Sequence, residues 1–369
     1  MTDEIKSPGD AIKAELEKRG WTQSDLAQIV GRDLPAISQI INGKRSITPD
    51  MAVAFGAAFG NEPDYWMHLD GSFRLSLLEP DADVERRAKI YSMAPVTEME
   101  KRGWIKQTET VAALEKELCG FFAVPSLDQE PMFEASARKS GSALAATTPA
   151  QRAWFVRGAR MASVLKAERF TSSRFEKGLP AIRELAAHPE GAKQVPRALA
   201  DLGVRLVVVE PLAKTKIDGA AFWLDEEKPV IMLSVRFDRI DGFWHTLAHE
   251  ISHIRNGDSL SVDADIFGED KAQCSIEEKE MRADREAADF LIPKAMLDSF
   301  ILRVRPLYSK IRIIQFAHRA KVHPGIVTGQ LQHRRELAWT ANREMMAKVR
   351  SLITSTALTD GWGSTTPAL

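Results

Sequence analysis

Hydrophobic and polar positions change their spacing along the chain in a way that predicts its elements. Over residues 8–66, apolar residues recur at helical intervals in short blocks. Ala11, Leu16 and Trp21 open the first apolar face. Thr22 stands where an N-cap belongs, with Gln23 and Asp25 in the following turn, and the helix continues to Val30 until Gly31 breaks it. Asp33 is placed to cap a second helix with Pro35 in its first turn, where a missing amide is harmless, and Asn42-Gly43 ends it. A third begins at Thr48-Pro49 and carries Met51, Val53 and Phe55. Residues 84–91, 110–122 and 152–168 keep helical spacing between breaks at Pro95, Pro125 and Pro149, with Trp104 and Trp154 expected in the core. The period then changes. Residues 202–212 predict a buried strand, and 220–224 and 230–235 predict a hairpin about the polar turn 225–228. Helical spacing returns afterwards, including two helices at 311–322 and 324–335 around His323-Pro324-Gly325.

Composition bounds this picture. A chain of 369 residues with 44% hydrophobic and 27% charged residues suits a water-soluble protein with more than one core. No apolar run is long enough for a bilayer, and Met1-Thr-Asp-Glu does not begin a secretory leader, so a cytoplasmic protein without membrane contact is expected. Cys119 and Cys274 lack partners at ligand spacing, which disfavours a disulfide framework and a thiolate metal site. The net charge of −1 hides a strong asymmetry. Residues 301–350 hold eleven Lys or Arg against Glu336 and Glu344, whereas 251–300 hold twelve acids against six bases. The basic segment suits nucleic acid, an acidic partner, or neutralisation of the acidic stretch within the same domain.

In the N-terminal block, Ala27, Gly31, Ile37 and Ile40 supply a small residue, a turn glycine and branched apolar residues at the spacing of two helices meeting at an angle. This spacing resembles the Cro/repressor type of helix-turn-helix. The wider string from Trp21-Thr-Gln-Ser-Asp-Leu-Ala to Ile41-Asn-Gly-Lys-Arg-Ser-Ile-Thr-Pro is similar to HigA-type antitoxins. The resemblance implies a recognition helix over residues 34–41 in a major groove, with Ser38, Gln39 and Asn42 toward base edges and Lys44 and Arg45 on phosphate. A bundle that only binds protein is the alternative, since residues 1–60 carry eight acids against seven bases.

The strongest chemical signal is His249-Glu250-Ile-Ser-His253. Four residues advance a helix by about 400°, so both imidazoles share one face and can reach one ion. Glu250 falls on the neighbouring face, where a general base can reach an attacking water without being a ligand. A catalytic zinc needs a third protein ligand and an open position. Residues 277–293 predict a helix on which Glu280 can be that ligand, and Asp284, one turn on, can fix the tautomer of a histidine. His245 lies one turn before His249, but three successive turns cannot converge on one ion, so it is expected in the core or behind the ligands. Tyr308 and His323 are weak choices for stabilising a transition state, a packed tyrosine and a helix-capping histidine being the simpler readings.

Phe243-Trp-His-Thr-Leu-Ala-His-Glu-Ile-Ser-His-Ile254, then Glu280-x-x-Ala283-Asp284 and Ala287-Ala-Asp-Phe-Leu-Ile-Pro293, resemble the ImmA/IrrE metallopeptidases over residues 201–337. The resemblance implies a gluzincin-like fold, one zinc ion and a DNA-binding repressor as partner. Ser252 stands where that family often has glycine, and His245 where it often has an aromatic.

The expected protein is therefore mainly α with a small β-sheet. It divides into a helix-turn-helix bundle (1–70), a helical connector (71–195), a zincin-like α+β domain (196–345) and a tail (346–369). One reading is a DNA-bound regulator, able to pair as a homodimer on two half-sites of an operator, whose zinc endopeptidase cleaves a regulatory protein such as a repressor or toxin–antitoxin component, the substrate adding as a strand to the sheet edge. The other is a non-catalytic, antitoxin-like repressor whose metal-bound domain is a scaffold for a partner or a signal. The acidic loop 258–278 is positioned to cover the site in a resting state.

Overall fold

The computed structural model describes residues 7–79, 81–129, 147–258, 261–262 and 271–363, the side chains of 261–262 and 271–277 excepted. The proposed cover falls largely outside the described residues, as does the side chain of Cys274. Two compact units divide the chain, Met1–Glu85 and Arg86–Leu369.

The first unit is built from α1 (Pro8–Arg19), α2 (Gln23–Ile29), α3 (Leu34–Ile41), α4 (Pro49–Phe59) and α5 (Pro63–Ser76). Thr22 and Asp25 form a reciprocal capping box at the start of α2, with the Asp25 amide donating to Thr22 Oγ1 over 3.2 Å and the Thr22 amide to Asp25 Oδ2 over 2.7 Å. Gly31 makes the turn to α3 at φ +64°, a left-handed conformation that costs a residue with a Cβ. Asp33 occupies the N-cap position of α3, but its side chain makes no capping bond. Pro35 removes one of the two amides such a cap serves, and the other, on Ala36, donates to the Asp33 carbonyl over 3.1 Å. Leu26, Ala27, Ile37 and Ile40 fill the angle between α2 and α3 and join Phe55, Phe59 and Trp66 in one core.

The second unit is organised by a five-stranded sheet. After α6 (Ala82–Met93), which crosses the unit boundary, come α7 (Val96–Lys101), α8 (Val111–Phe122), α9 (Pro149–Val164), α10 (Ser172–Glu184) and α11 (Val195–Asp201). The sheet begins with β1 (Arg205–Val209), β2 (Gly219–Trp223) and β3 (Pro229–Leu233), and α12 (Ile240–Asn256), β4 (Ser261–Val262) and α13 (Lys271–Leu291) follow. The chain ends with α14 (Lys294–Val304), α15 (Lys310–Ala320), α16 (Pro324–His333), α17 (Arg350–Thr354) and β5 (Leu358–Asp360). Strand order is β4-β2-β3-β1-β5. The β2–β3 hairpin is antiparallel as expected, whereas β1 runs parallel to both β3 and β5.

Successive strand residues face opposite sides. Leu206, Val208, Ala221, Ile231 and Leu233 enter one core with Trp244 and Leu247 of α12. Val207, Val209, Phe222, Val230 and Met232 enter another with Trp154 and Phe155 of α9. Because both faces are covered, β1, β2 and β3 are apolar apart from Arg205 rather than alternating.

This two-sided burial changes the reading of two regions. Residues 71–195 were expected as a connector, but α8 and α9 form the layer over one sheet face, with Trp104 and Trp154 buried in it. Residues 346–369 were expected as a tail, yet they supply α17 and the edge strand β5. Asp360 is buried there, bonded to the Trp104 indole over 3.1 Å and ion-paired with Arg157. Three residues carry too little periodicity to announce a strand whose partner lies about 150 positions earlier in sequence. The other edge also differs from expectation, since β4 pairs antiparallel with β2, Ala220 opposite Val262 and Ala221 opposite Ser261. A substrate strand was expected along an edge of the sheet; the outer side of β2 is occupied by β4 of the chain itself.

Candidate metal centre

Helix α12 explains its own placement. Trp244, Leu247, Ala248 and Ile251 bury an apolar stripe against the sheet. His249, Glu250 and His253, on adjoining faces of the same turns, are thereby carried inside, Glu250 and His253 with no exposed surface. Helix α13 packs along α12 and brings Glu280 and Asp284 opposite the histidines.

One ligand atom from each of His249, His253 and Glu280 lies within 4.8 Å of the others. His249 Nε2 is 3.0 Å from His253 Nε2 and 3.0 Å from Glu280 Oε2, and His253 Nε2 is 3.6 Å from Glu280 Oε1. Donors around a tetrahedral zinc with bonds of 2.0–2.1 Å stand roughly 3.3–3.4 Å apart, so this donor set fits one such ion with small adjustments. Both imidazoles are held from behind. His249 donates Nδ1–H to Asp284 Oδ1 and His253 donates Nδ1–H to Asp258 Oδ2, each over 3.0 Å, which turns both Nε2 atoms to the shared space.

Electrostatics follow the same contacts. Burial alone pushes the His253 pKa down, but the hydrogen bond to Glu280 and the charges of Glu250 and Glu280 outweigh it and raise the value in the metal-free cluster. Hydrogen bonds from His245 and His249 hold the Asp284 carboxyl far below the ordinary range.

Asp258 was read from sequence only as the start of an acidic loop. Gly257, at φ 64°, closes α12, and the Asp258 amide donates back to the His253 carbonyl over 3.0 Å, which returns the Asp258 side chain to His253. Arg282 and Lys279 of α13 pair with the same carboxylate. A glycine after a ligand-bearing helix, followed at once by an acid, was the available signal. His245 is neither ligand nor core: its side chain is 41% exposed and its Nε2 stands 3.5 Å from Asp284, behind His249. Ser252 donates to Glu286 over 2.7 Å and so fastens α12 to α13. Tyr308 donates its hydroxyl to Glu336 over 2.7 Å, and burial together with that carboxylate pushes its pKa up to about 12. His323 caps α16 by accepting from the Gly325 amide over 3.0 Å. These two side chains have the structural roles that the simpler readings gave them.

Close packing also fixes Glu250. A Cβ added at Gly219 of β2 would lie 2.5 Å from Glu250 Oε1 and 2.8 Å from Thr246 Cγ2. Gly219→Ala is expected to destabilise the second unit by about 1–3 kcal/mol through overpacking, measured by urea unfolding. Adding Glu250→Ala should recover part of that loss, because it removes the atoms that the new methyl meets.

In the first unit, Gln39, Asn42, Lys44 and Arg45 are exposed and Ser38 is half-buried, along α3 and the turn after it. Asn42 Nδ2 donates to the Ser38 carbonyl over 2.8 Å and to its hydroxyl over 3.3 Å. In the basic C-terminal segment, Arg334 pairs with Asp298, Arg305 with Glu336 and Lys310 with Glu344. Part of its charge is thus met within the unit. No helix among the described residues is long and apolar enough to cross a membrane.

Comparison with known proteins separates the same two regions. A helix-turn-helix family model matches residues 12–66, and an IrrE N-terminal-like domain, of the peptidase M78 type, matches residues 200–331. The chain is 26% identical over 83 residues to the uncharacterized HTH-type transcriptional regulator YddM of Escherichia coli, covering 22% of this chain and 88% of that protein. It is 35% identical over 80 residues to an uncharacterized HTH-type transcriptional regulator of Haemophilus influenzae, covering 21% and 75%. Antitoxin HigA-1 of Vibrio cholerae is 36% identical over 64 residues, which are 17% of this chain and 60% of that protein.

Proposed function

This chain belongs to the helix-turn-helix transcriptional regulators and carries an IrrE N-terminal-like domain, and on that premise we propose that it is a DNA-bound zinc endopeptidase that cleaves a regulatory protein. The observation that carries the reading is the convergence of His249 Nε2, His253 Nε2 and the Glu280 carboxylate beside a buried Glu250. In this reading His249, His253 and Glu280 hold one zinc ion. Asp284 and Asp258 keep the imidazoles in the tautomer that ligation needs. The zinc-binding domain is centred on residues 196–345, with its outer strand supplied from 358–360.

Bound zinc would supply a Lewis acid that polarises a peptide carbonyl and eases deprotonation of water. Glu250 accepts a proton from the attacking water as the new C–O bond forms, and then passes it to the leaving amine as the peptide C–N bond breaks. The substrate class is a repressor or a toxin–antitoxin component. The test is to express the full chain and its Glu250→Gln variant in cells and compare newly formed protein N-termini by mass spectrometry. Cleavage products present with both proteins, or with neither, would end the proposal.

A scaffold without turnover is the second reading, favoured by the complete burial of Glu250 and by β4 on the edge of β2. It predicts that losing zinc changes partner binding while Glu250→Gln changes nothing.

For the first unit, α3 would enter the major groove of an operator, with Ser38, Gln39 and Asn42 at base edges and Lys44 and Arg45 on phosphate, and a homodimer would span paired half-sites. Selection of sequences from a randomised DNA duplex by the full chain tests this. Arg45→Ala should weaken binding to all sequences alike and lower the salt slope by about 1, whereas Gln39→Ala should cost about 1–3 kcal/mol at one base position. Equal effects of the two changes on every sequence would argue against base reading by Gln39.

A further inference from the structure

We propose that a cavity where the end of α15 meets the start of α16 binds the phosphate group of a small metabolite, held by His188, His318, Lys321 and His323. The cavity, of about 530 Å³, also takes in Glu184, the last residue of α10. It shares no lining residue with the metal centre, and its occupancy does not depend on peptide cleavage. Ligand sites span roughly 300–1,000 Å³, so there is room for an organic body beyond the phosphate.

The polar side chains that line it are not committed elsewhere. Among the described residues, no hydrogen bond or ion pair engages the imidazoles of His188 and His318, the Lys321 ammonium or the Glu184 carboxylate. By contrast, Arg305, Lys310 and Arg334 of the same basic segment are all paired with acids. His323 is engaged on one side only. Its Nδ1 accepts from the Gly325 amide over 3.0 Å, which puts the ring hydrogen of the neutral form on Nε2, and no described residue accepts that hydrogen. Lys321 closes α15 at φ 53°, a left-handed position that glycine fills at lower cost. A lysine there spends strain on a cavity wall, where its ammonium meets no acid.

These groups select the ligand. Three imidazoles and one ammonium offer hydrogen-bond donors to a single space, and the charge of Lys321 makes the preferred guest an anion. A phosphate group carries about −1.5 to −2 charge at pH 7 and three acceptor oxygens, more of both than a carboxylate brings. The exposed Glu184 is placed to accept from a hydroxyl or amine on the organic part. A metal ion fits poorly. Nε2 of His323 keeps its hydrogen while Nδ1 serves Gly325, and among the described residues only His249, His253 and Glu280 bring ligand atoms within 4.8 Å of one another. The start of α16 is not the donor either, because His323 already takes the Gly325 amide and Pro324 has none.

The same set makes binding depend on pH. Burial and then the neighbouring His188 hold the His323 pKa below its usual value, and Glu190 opposes that shift. A bound dianion reverses the balance by favouring protonated imidazoles, so binding takes up protons and affinity rises as pH falls. Lysine and glutamate, here Lys321, Glu184 and Glu190, keep one charge between pH 6 and pH 8, which leaves the three histidines to supply the dependence.

Calorimetric titration of the full chain loaded with zinc, using inorganic phosphate, sulfate and acetate as probes, tests the site. Phosphate should bind once per chain and roughly tenfold tighter than acetate. Sulfate, whose charge is constant in this range, should bind roughly tenfold tighter at pH 6 than at pH 8. Lys321→Gly should weaken phosphate binding roughly tenfold, while thermal stability holds or rises because glycine suits that backbone. His323→Asn keeps a residue that caps a helix, removes the Nε2 donor and should weaken binding severalfold. Phosphate bound at the zinc ion would ignore both changes.

Binding no tighter than that of acetate, or indifferent to both changes, overturns the proposal. So does a second equivalent of zinc that disappears in His188→Ala. Sedimentation of the chain with phosphatidic acid vesicles, or retention on a DNA duplex, that is lost in Lys321→Gly would move the phosphate to a lipid or a nucleic acid backbone and overturn the assignment to a small molecule.

Discussion

Glu250→Gln is expected to lower cleavage by about 10²–10⁴-fold, the usual contribution of a general base, while the protein still carries one zinc per chain. Glutamine keeps the volume of glutamate, so the close packing beside Gly219 is preserved. What it removes is the basic oxygen. The converging ligand atoms belong to His249, His253 and Glu280, so the metal should remain. Rates on any substrate found by N-terminal profiling, measured together with zinc by elemental analysis, separate the two properties. Unchanged turnover would exclude Glu250 as the base, and loss of zinc would make it a ligand instead.

Zinc itself should have the largest effect on stability. An ion that binds only the folded state at 1,000 times its dissociation constant adds about 4 kcal/mol to unfolding. The cluster provides a reason for strong binding, since buried His249 and His253 meet the half-buried Glu280 around one small space and their Nδ1 atoms are already engaged by carboxylates. Thermal unfolding of the second unit should therefore move up with zinc and down with a chelator. His253→Ala should abolish the zinc-dependent shift and also lower the metal-free midpoint, because it empties a site with no exposed surface. A zinc-dependent shift that survives His253→Ala would place the ion elsewhere.

These expectations draw on two kinds of information. Local spacing in the sequence determined the helix carrying His249, Glu250 and His253, the helix carrying Glu280 and Asp284, the β2–β3 hairpin, the capped start of α2 and the glycine turn between α2 and α3. In each case the signal lies within a few residues, where helix or strand periodicity and cap chemistry act directly. The sequence also offered the candidate ligand types, because residues four apart on a helix share a face and His and Glu are side chains that can bind a metal.

Tertiary structure decided everything that depended on distant residues meeting. It recruited α8 and α9 as the second layer of the sheet and brought Leu358–Asp360 beside β1. It also placed β4 on the edge of β2 and folded Asp258 back onto His253. An apolar helix face announces that it needs a partner but not which one, and a carboxylate announces charge but not the imidazole it will hold. Burial and hydrogen bonding between separated segments make those choices, and neither has a period that can be read along a single chain.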